Sequence, residues 1–192
     1  TSNYYTSFSY TNDLGRSVIN EFDRITGRMN FGQKIGRFIE LNTNINVSTS
    51  NQEGFNDTRA LGNNYFLQSR NLLWGMYWPT DIATGLPWTA RYGSYAYNPL
   101  YYNNEWENWS KTQRVFATET VTIKILPELH LRSIFSFDNT QTFDHLYYSA
   151  LHFSGSSLIG SVTENSTKIN ELLSSTTLNY NKTFGGAHNV SA

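Results

Sequence analysis

The stretch VTIKILPELHLRSIFSF, residues 121–137, alternates between apolar and polar side chains along its whole length. Its odd positions are apolar with one exception, whereas Lys124, His130 and Arg132 occupy even positions. A period of two places successive side chains on opposite faces of a β-strand. Because the phase continues across Pro127, the stretch predicts two antiparallel strands that share one apolar face and one charged face.

The same alternation recurs along the chain and predicts about seven strands. The composition agrees, since the chain is 16% aromatic, rich in Asn, Ser and Thr, and only 39% hydrophobic, below the ~45–50% of soluble domains. Such a composition favours strands over helices. The alternating runs cover residues 5–10, 23–31, 37–50, 115–125, 129–137 and 171–180.

Three tight turns are predicted from the phase of these runs. An odd-length turn keeps odd positions paired with odd positions. We therefore expect Phe31 to pair with Ile39 across GQKIG, and Ile125 to pair with Leu129 across residues 126–128. The third turn is predicted at FGGAH, where glycine accommodates a positive φ.

Long connections separate the tight turns, over residues 11–21, 51–111 and 139–168. Short turns at one end of a sheet and long loops at the other are typical of outer-membrane barrels, whose periplasmic turns are short and whose extracellular loops are long. The pattern predicts an all-β, antiparallel, up-and-down transmembrane β-barrel segment. A soluble β-sandwich with alternating core-facing and water-facing residues is the alternative.

Several motifs give the chain a family resemblance. YYTSFSYTNDLG, followed by RITGRMNFGQKIGRFIELNTNINVS, resembles the first barrel hairpins of SusC-like (SusC/RagA) TonB-linked outer-membrane transporters. LPELHLRSIFSFDNT and TTLNYNKTFGGAHNVSA are similar to later hairpins of that family, in the same order. The resemblance implies that residues 1–192 are part of a TonB-dependent-receptor-type barrel.

The resemblance also implies a function and partners. Such transporters import bulky nutrients, oligosaccharides or peptides, across the outer membrane of Gram-negative, Bacteroidetes-type bacteria. A SusD-like lipoprotein captures the ligand, and TonB–ExbB–ExbD act through a plug region, no counterpart of which is present in this sequence. About seven strands are too few to close a barrel of that kind, and an open sheet in lipid leaves unpaired edges. We therefore expect the chain to be part of a larger protein.

Two groups of candidate site residues follow from the sequence. The connection 51–111 contains all five tryptophans, and an extracellular loop dense in Trp and Tyr suits sugar stacking or a protein partner, although such rings also pack on one another. The candidates for ligand or partner binding are Trp74, Trp78, Trp88, Tyr101, Tyr102, Trp106 and Trp109. The candidates for the wet interior of the barrel are Arg24, Arg28, Glu40, Lys124, His130 and Arg132.

Other classes of function have little support in the sequence. A net charge of −1 gives no electrostatic signal for nucleic acid. Glu105 and Glu107 resemble a glycosidase carboxylate pair, but an i, i+2 pair on a loop is usually only solvated. His145 and His152 lack a recognised metal-ligand spacing, so we expect no enzyme activity, metal or cofactor. A sugar-binding sandwich module and a structural barrel or surface-layer fragment remain as alternative functions.

Overall fold

The computed structural model describes residues 1–16, 20–54, 78, 80–88, 98–102, 104–152, 159–185 and 188–192. The described chain is one antiparallel sheet in which each strand pairs with the next in sequence. The strands are β1 (Ser2–Leu14), β2 (Glu21–Ile35), β3 (Ile39–Glu53), β4 (Trp106–Leu126), β5 (Leu129–Tyr148), β6 (Ser161–Phe184) and β7 (His188–Ser191). One short helix, α1 (Pro99–Tyr102), precedes β4. The predicted seven-stranded, up-and-down architecture is confirmed, and it matches a segment of a β-barrel wall.

Tight turns and long connections lie at opposite ends of the sheet, as predicted. The tight turns join β2 to β3, β4 to β5, and β6 to β7, and the long connections are 15–20, 54–105 and 149–160. The connection predicted over 51–111 is therefore shorter at both ends, because β3 runs to Glu53 and β4 begins at Trp106. The end of β3 is polar on both faces over residues 48–53, and the start of β4 has Trp106 and Trp109 on opposite faces, so alternation could not identify either end.

The registers of two predicted turns were wrong, although the assignment of faces was right. Phe31 pairs with Thr43 rather than Ile39, because β2 continues to Ile35 and the turn is formed by residues 36–38. Gly36 has a φ of 61° there, a conformation that glycine adopts without a Cβ clash. Odd residues still pair with odd residues, so every side chain of β2 and β3 keeps its predicted face.

The second turn differs through a β-bulge. Leu126 pairs directly with Leu129, and the register shifts between Lys124 and Leu126. The turn consequently contains only Pro127 and Glu128, and Ile125 is the extra residue of the bulge. A bulge absorbs one residue, so the predicted faces of the two strands are preserved up to the turn.

One face of the sheet carries a continuous zone of apolar side chains, here called the apolar belt. Register places its residues on one face across six strands. The belt runs over Tyr4–Tyr10 in β1, Ile25–Phe31 in β2, Ile39–Val47 in β3, Val115–Ile123 in β4, Leu131–Phe137 in β5 and Leu172–Leu178 in β6, taking every second residue. Nothing in the described chain covers it, since Phe8 is 73% and Leu172 83% exposed.

The edge of the belt that is nearer the long connections, here called its upper edge, shifts towards the tight turns by two residues for every two strands. It is formed by Tyr10 and Ile25 in β1 and β2, then by the pair Val47–Val115, then by the pair Phe137–Leu172. Two steps of about 7 Å across about 24 Å of sheet give a slope of about 30°. Strands of membrane barrels are tilted by roughly 35–45° from the membrane normal, so a flat apolar slab fits this belt.

The strands are much longer than the belt. β4 has 21 residues and β6 has 24, which correspond to roughly 70–80 Å of extended chain. About 9–11 residues are enough to cross a bilayer. Above the belt the same face becomes polar, as at Gln113, Gln141 and Lys168. The upper halves of these strands are therefore suited to water, at the end where the long connections lie.

The described sheet has almost no core of its own. Trp106 is the one buried hydrophobic side chain among the described residues. A β-sandwich would bury its apolar face against a second sheet, and no second sheet packs on the belt in the part of the chain that the structure describes. The sandwich alternative therefore disagrees with the observed fold.

Glu119 interrupts the middle of the belt. Register places it on the belt face between Thr43 of β3 and Phe135 of β5. The hydroxyl of Thr43 donates a hydrogen bond of 2.5 Å to Oε2 of Glu119, whereas Oε1 is buried and has no hydrogen-bond partner. A carboxylate is costly in an apolar setting, and the threonine offsets only part of that cost.

Substituting adjacent residues on the two faces tests the orientation of the sheet. Thr176 lies on the belt face, and Ser175 lies on the opposite face. In the full-length protein we expect Thr176→Arg to lower the free energy of unfolding from lipid vesicles by about 2–4 kcal/mol, and Ser175→Arg to lower it much less. Denaturant titration measures both values. Equal losses would contradict the assignment of the belt to lipid.

Candidate functional site

The face opposite the belt, here called the polar face, carries all six residues predicted for the barrel interior. These are Arg24, Arg28, Glu40, Lys124, His130 and Arg132, which register places together on that face. Near the tight turns, Lys124 pairs directly with His130. Glu40, Thr122 and Arg132 form one row across β3, β4 and β5. The structure thus brings four of the six into one neighbourhood, while Arg28 and Arg24 lie progressively closer to the long connections.

A hollow of about 360 Å³ lies around Arg28 on the polar face. Asn30 and Asn44 form a direct cross-strand pair in its floor, and Arg28 pairs with Asn46. Phe116 and Thr118 of β4 complete one side. Among the described residues, none of these asparagine amides makes a hydrogen bond within the chain. Arg28 likewise makes no ion pair with any of them.

Such a group of side chains can bind polar ligands without a dominant charge. Each asparagine amide offers two donors and an acceptor, and a guanidinium offers a planar set of donors. Peptide groups and sugar hydroxyls both match that inventory. The asparagines were not among the predicted site residues, yet their period-two spacing in ELNTNINVS, at Asn42, Asn44 and Asn46, is a sequence signal that could have identified them.

An ion pair lies on the polar face, nearer to the long connections than the hollow. Arg114 Nε donates to Asp138 Oδ1 at 3.0 Å, and Nη2 donates to Oδ2 at 2.5 Å. The Arg114 side chain is 53% exposed. An exposed pair contributes little to stability, but the bidentate geometry fixes the guanidinium above Phe116, 5.8 Å from its ring centroid.

Two of the predicted loop tryptophans belong to β4. Trp106 pairs with Tyr148 and is 6% exposed, so its ring is packed at the strand end. Trp109 lies on the belt face, above the belt, where its ring stacks on His145 with 4.9 Å between centroids. The Nδ1 atom of His145 is 3.2 Å from Oε1 of Glu164 on β6.

The other predicted aromatics lie in the long connection. Trp78 is 65% and Trp88 41% exposed, while Tyr101 is half-buried in α1. Tyr102 also belongs to α1, but its side chain is outside the described set, and Trp74 lies outside the described residues altogether.

A small hairpin in this connection exposes apolar side chains. Its ends meet at an isolated bridge between Thr80 and Pro87. Asp81 holds the turn, because its carboxylate accepts from the N–H of Ala83 at 2.9 Å. Ile82 is 86% and Leu86 66% exposed.

Glu105 of the Glu105–Glu107 pair is hydrogen-bonded to Ser149. The hydroxyl of Ser149 donates to Oε2 of Glu105, and the N–H of Ser149 donates to the Glu105 carbonyl at 2.9 Å. These bonds tie the start of β4 to the end of β5. Within the described ranges, no group of three or more His, Asp or Glu residues is arranged to hold a metal ion.

His152 lies beside this junction and is fully buried. Its N–H donates to the carbonyl of Ser149 at 3.1 Å, and its ring lies 4.7 Å from that of Tyr148. Burial lowers the pKa of His152 to about 4, because the charged imidazolium loses its hydration. The imidazole is therefore neutral at physiological pH.

The lowered pKa predicts that acid opens this junction. A histidine whose pKa is depressed by folding stabilises the folded form above its ordinary value near 6.5, and that contribution is lost as the pH falls towards 4. At pH 5 the loss reaches about 2 kcal/mol. Hydrogen–deuterium exchange of residues 145–152, corrected for intrinsic rates, should speed up between pH 7.5 and 5. In the His152→Phe variant it should not, and an unchanged pH response there would contradict the assignment.

Comparison with known proteins supports the fold. No family model matches the chain, and no curated protein sequence matches it. In the described part of the chain, no helix is long and apolar enough to cross a membrane. Solved structures of a peptide importer, in contrast, match nearly the whole chain.

Three of these structures belong to RagAB. The chain is 18% identical to a chain of the RagAB peptide importer in the closed-closed state, with a TM-score of 0.73. The match includes 99% of this chain and 22% of the importer chain. For the RagAB peptide transporter the identity is 19% and the TM-score 0.76, over 99% of this chain and 22% of the other. For the open-open state of the importer the identity is 17% and the TM-score 0.71, over 99% of this chain and 21% of the other. These proteins are importers rather than enzymes. The chain therefore shares its fold with a barrel segment of RagAB, the fold that its resemblance to SusC/RagA transporters implied.

Proposed function

We propose that the chain is part of an outer-membrane, TonB-dependent transporter that imports bulky nutrients, oligosaccharides or peptides, together with a SusD-like lipoprotein. The observation that carries the proposal is the tilted apolar belt on one face of a single meander whose other face is polar. Such a sheet suits a wall between lipid and a water-filled interior. The match to about a fifth of a RagAB importer chain supports the same function.

In this proposal the two faces have different tasks. The belt contacts outer-membrane lipid, and the polar face lines the interior, where the hollow around Arg28 offers amides to a passing ligand. Peptide or oligosaccharide groups fit this chemistry because they carry many hydrogen-bonding groups and little charge. Energy would come from TonB–ExbB–ExbD through a plug region that lies outside this sequence.

Uptake by the full-length protein tests the proposal. In a strain that carries the protein and its lipoprotein, labelled oligopeptides or oligosaccharides should accumulate only when TonB is intact. Asn44→Leu, which removes an amide from the hollow, should reduce uptake several-fold, because an apolar side chain cannot replace its hydrogen bonds. Asn165→Leu, on the same polar face but outside the hollow, is the matched control. Tight ligand binding by the chain in plain buffer, without any membrane, would favour the sugar-binding module instead.

The exposed hairpin at residues 80–87 supports a role in partner contact. It belongs to the connection at the end of the sheet opposite the tight turns, which is the extracellular end in this proposal. A surface lipoprotein can reach that end, and apolar anchors carry much of the binding energy at protein interfaces.

Replacing the apolar tips of the hairpin should weaken the complex and leave the barrel intact. We expect Ile82→Ser with Leu86→Ser to lower the affinity for the lipoprotein at least tenfold, because two exposed anchors are lost. Ile159→Ser, which removes an isoleucine that is 89% exposed in another long connection, is the control. Affinity is measured by titration of the purified proteins, and barrel assembly by heat-dependent electrophoretic mobility. Unchanged affinity in the double variant would exclude this hairpin from the interface.

A further inference from the structure

A band of polar side chains lies on the belt face directly above the belt, across β4, β5 and β6. We call it the lysine–amide band. Register stacks it in successive rows: Asn139 with Asn170, then Gln113, Gln141 and Lys168, then Lys111, Phe143 and Ser166. The next row up consists of Trp109, His145 and Glu164. The band thus separates the apolar belt from a row of stacked rings.

The charges of this band are unbalanced. Lys111 and Lys168 are exposed, and neither makes an ion pair with any described residue. None of the rows of the band contains a carboxylate. The row above contains Glu164, whose Oε1 lies 3.2 Å from His145, and continues on β3 with Glu53, which accepts a hydrogen bond from the side chain of Asn51. The band therefore presents two unneutralised ammonium groups.

The spacing of the two lysines suits a ligand with more than one polar group. They lie on strands separated by β5, and their positions are offset by two residues along the strands. Their Cα atoms are therefore about 12 Å apart. Four side-chain amides lie on the same face: those of Gln113, Gln141, Asn139 and Asn170. The amides of Asn139 and Asn170 are hydrogen-bonded to each other, whereas those of the glutamines make no bond in the described chain.

The neighbouring strands lack this arrangement. On the same face above the belt, β3 carries Glu53, and β2 carries Asp23 and Glu21, of which Glu21 accepts a hydrogen bond of 2.9 Å from Asn12. An anionic ligand would be repelled there. The charge pattern therefore confines an anionic ligand to the surface of β4–β6.

We propose that the lysine–amide band binds the phosphorylated sugar headgroup of an outer-leaflet glycolipid. The inference rests on the proposed function, because a belt in lipid places the headgroup layer directly above it. Ammonium groups bind phosphate, and the glutamine amides match sugar hydroxyls. The partly exposed ring of Trp109, which contacts the rings of His145 and Phe143, offers an aromatic surface to a sugar ring. The outward-facing surface of the barrel thus has a second binding site, separate from the polar face.

The test uses the full-length protein in nanodiscs of phosphatidylcholine. Each preparation contains a small fraction of lipid A, of dephosphorylated lipid A or of phosphatidylglycerol, and retained lipid is counted by native mass spectrometry. We expect lipid A to be retained most strongly. Lys111→Gln with Lys168→Gln should reduce its retention at least tenfold. The control, Lys34→Gln with Lys124→Gln, makes the same change of charge on the polar face and should have no effect.

Three outcomes would overturn the inference. Equal retention of lipid A and phosphatidylglycerol would show a general attraction for anionic lipid, and equal retention of dephosphorylated lipid A would exclude the phosphate. An equal loss in the control variant would exclude the band. The proposed function is assessed separately, by outer-membrane fractionation and uptake. A protein that is inserted and transports but shows no preference for lipid A refutes this inference alone, whereas a protein absent from the outer membrane refutes both.

Discussion

The requirement that every backbone N–H and C=O in an apolar medium be hydrogen-bonded governs this structure. Each strand from β2 to β5 satisfies it by pairing on both sides, whereas β6 pairs with β7 only over Asn181–Phe184. The strands can then present an uncovered apolar face although the described sheet has almost no core. The unpaired edges of the described sheet include that of β1 and that of β6 over residues 161–179. The chain spans about a fifth of the length of the RagAB chains that it matches.

Because successive side chains of a strand point to opposite faces, the paired sheet has two chemically different surfaces. One carries the belt and, above it, the lysine–amide band, so its chemistry changes with height. The other carries arginines, asparagines and hydroxyl groups over its whole length, so its chemistry is polar at every height. Glu119 is an exception, because it places a carboxylate within the apolar belt. One of its oxygens accepts a hydrogen bond from the hydroxyl of Thr43, and the other is buried without a hydrogen-bond partner.

Sequence reasoning was accurate where the physics is local and periodic. The alternation of Val121–Phe137 identified strands, faces and turn locations, because a period of two has a single interpretation once one face is apolar. It failed in the details of the turns. The bulge at Ile125 and the extension of β2 to Ile35 preserve parity, so no periodic signal distinguishes them from the predicted registers. Strand ends above the belt were missed because the end of β3 is polar on both faces, while polar and apolar residues occur on both faces of β4 and β5 there, so alternation disappears.

By itself, the sequence determined the class of fold, the number of strands, which residues share a face, and the end of the sheet at which the long connections lie. These properties depend on composition and on the spacing of neighbours along one chain. Only the tertiary structure decided which residues meet across strands. It paired Asn30 with Asn44 in the hollow around Arg28, moved Trp106 and Trp109 out of the loop and into β4, and aligned Lys111 with Lys168 on one face. Such neighbours depend on inter-strand register, which is fixed by turn geometry and side-chain packing over the whole sheet.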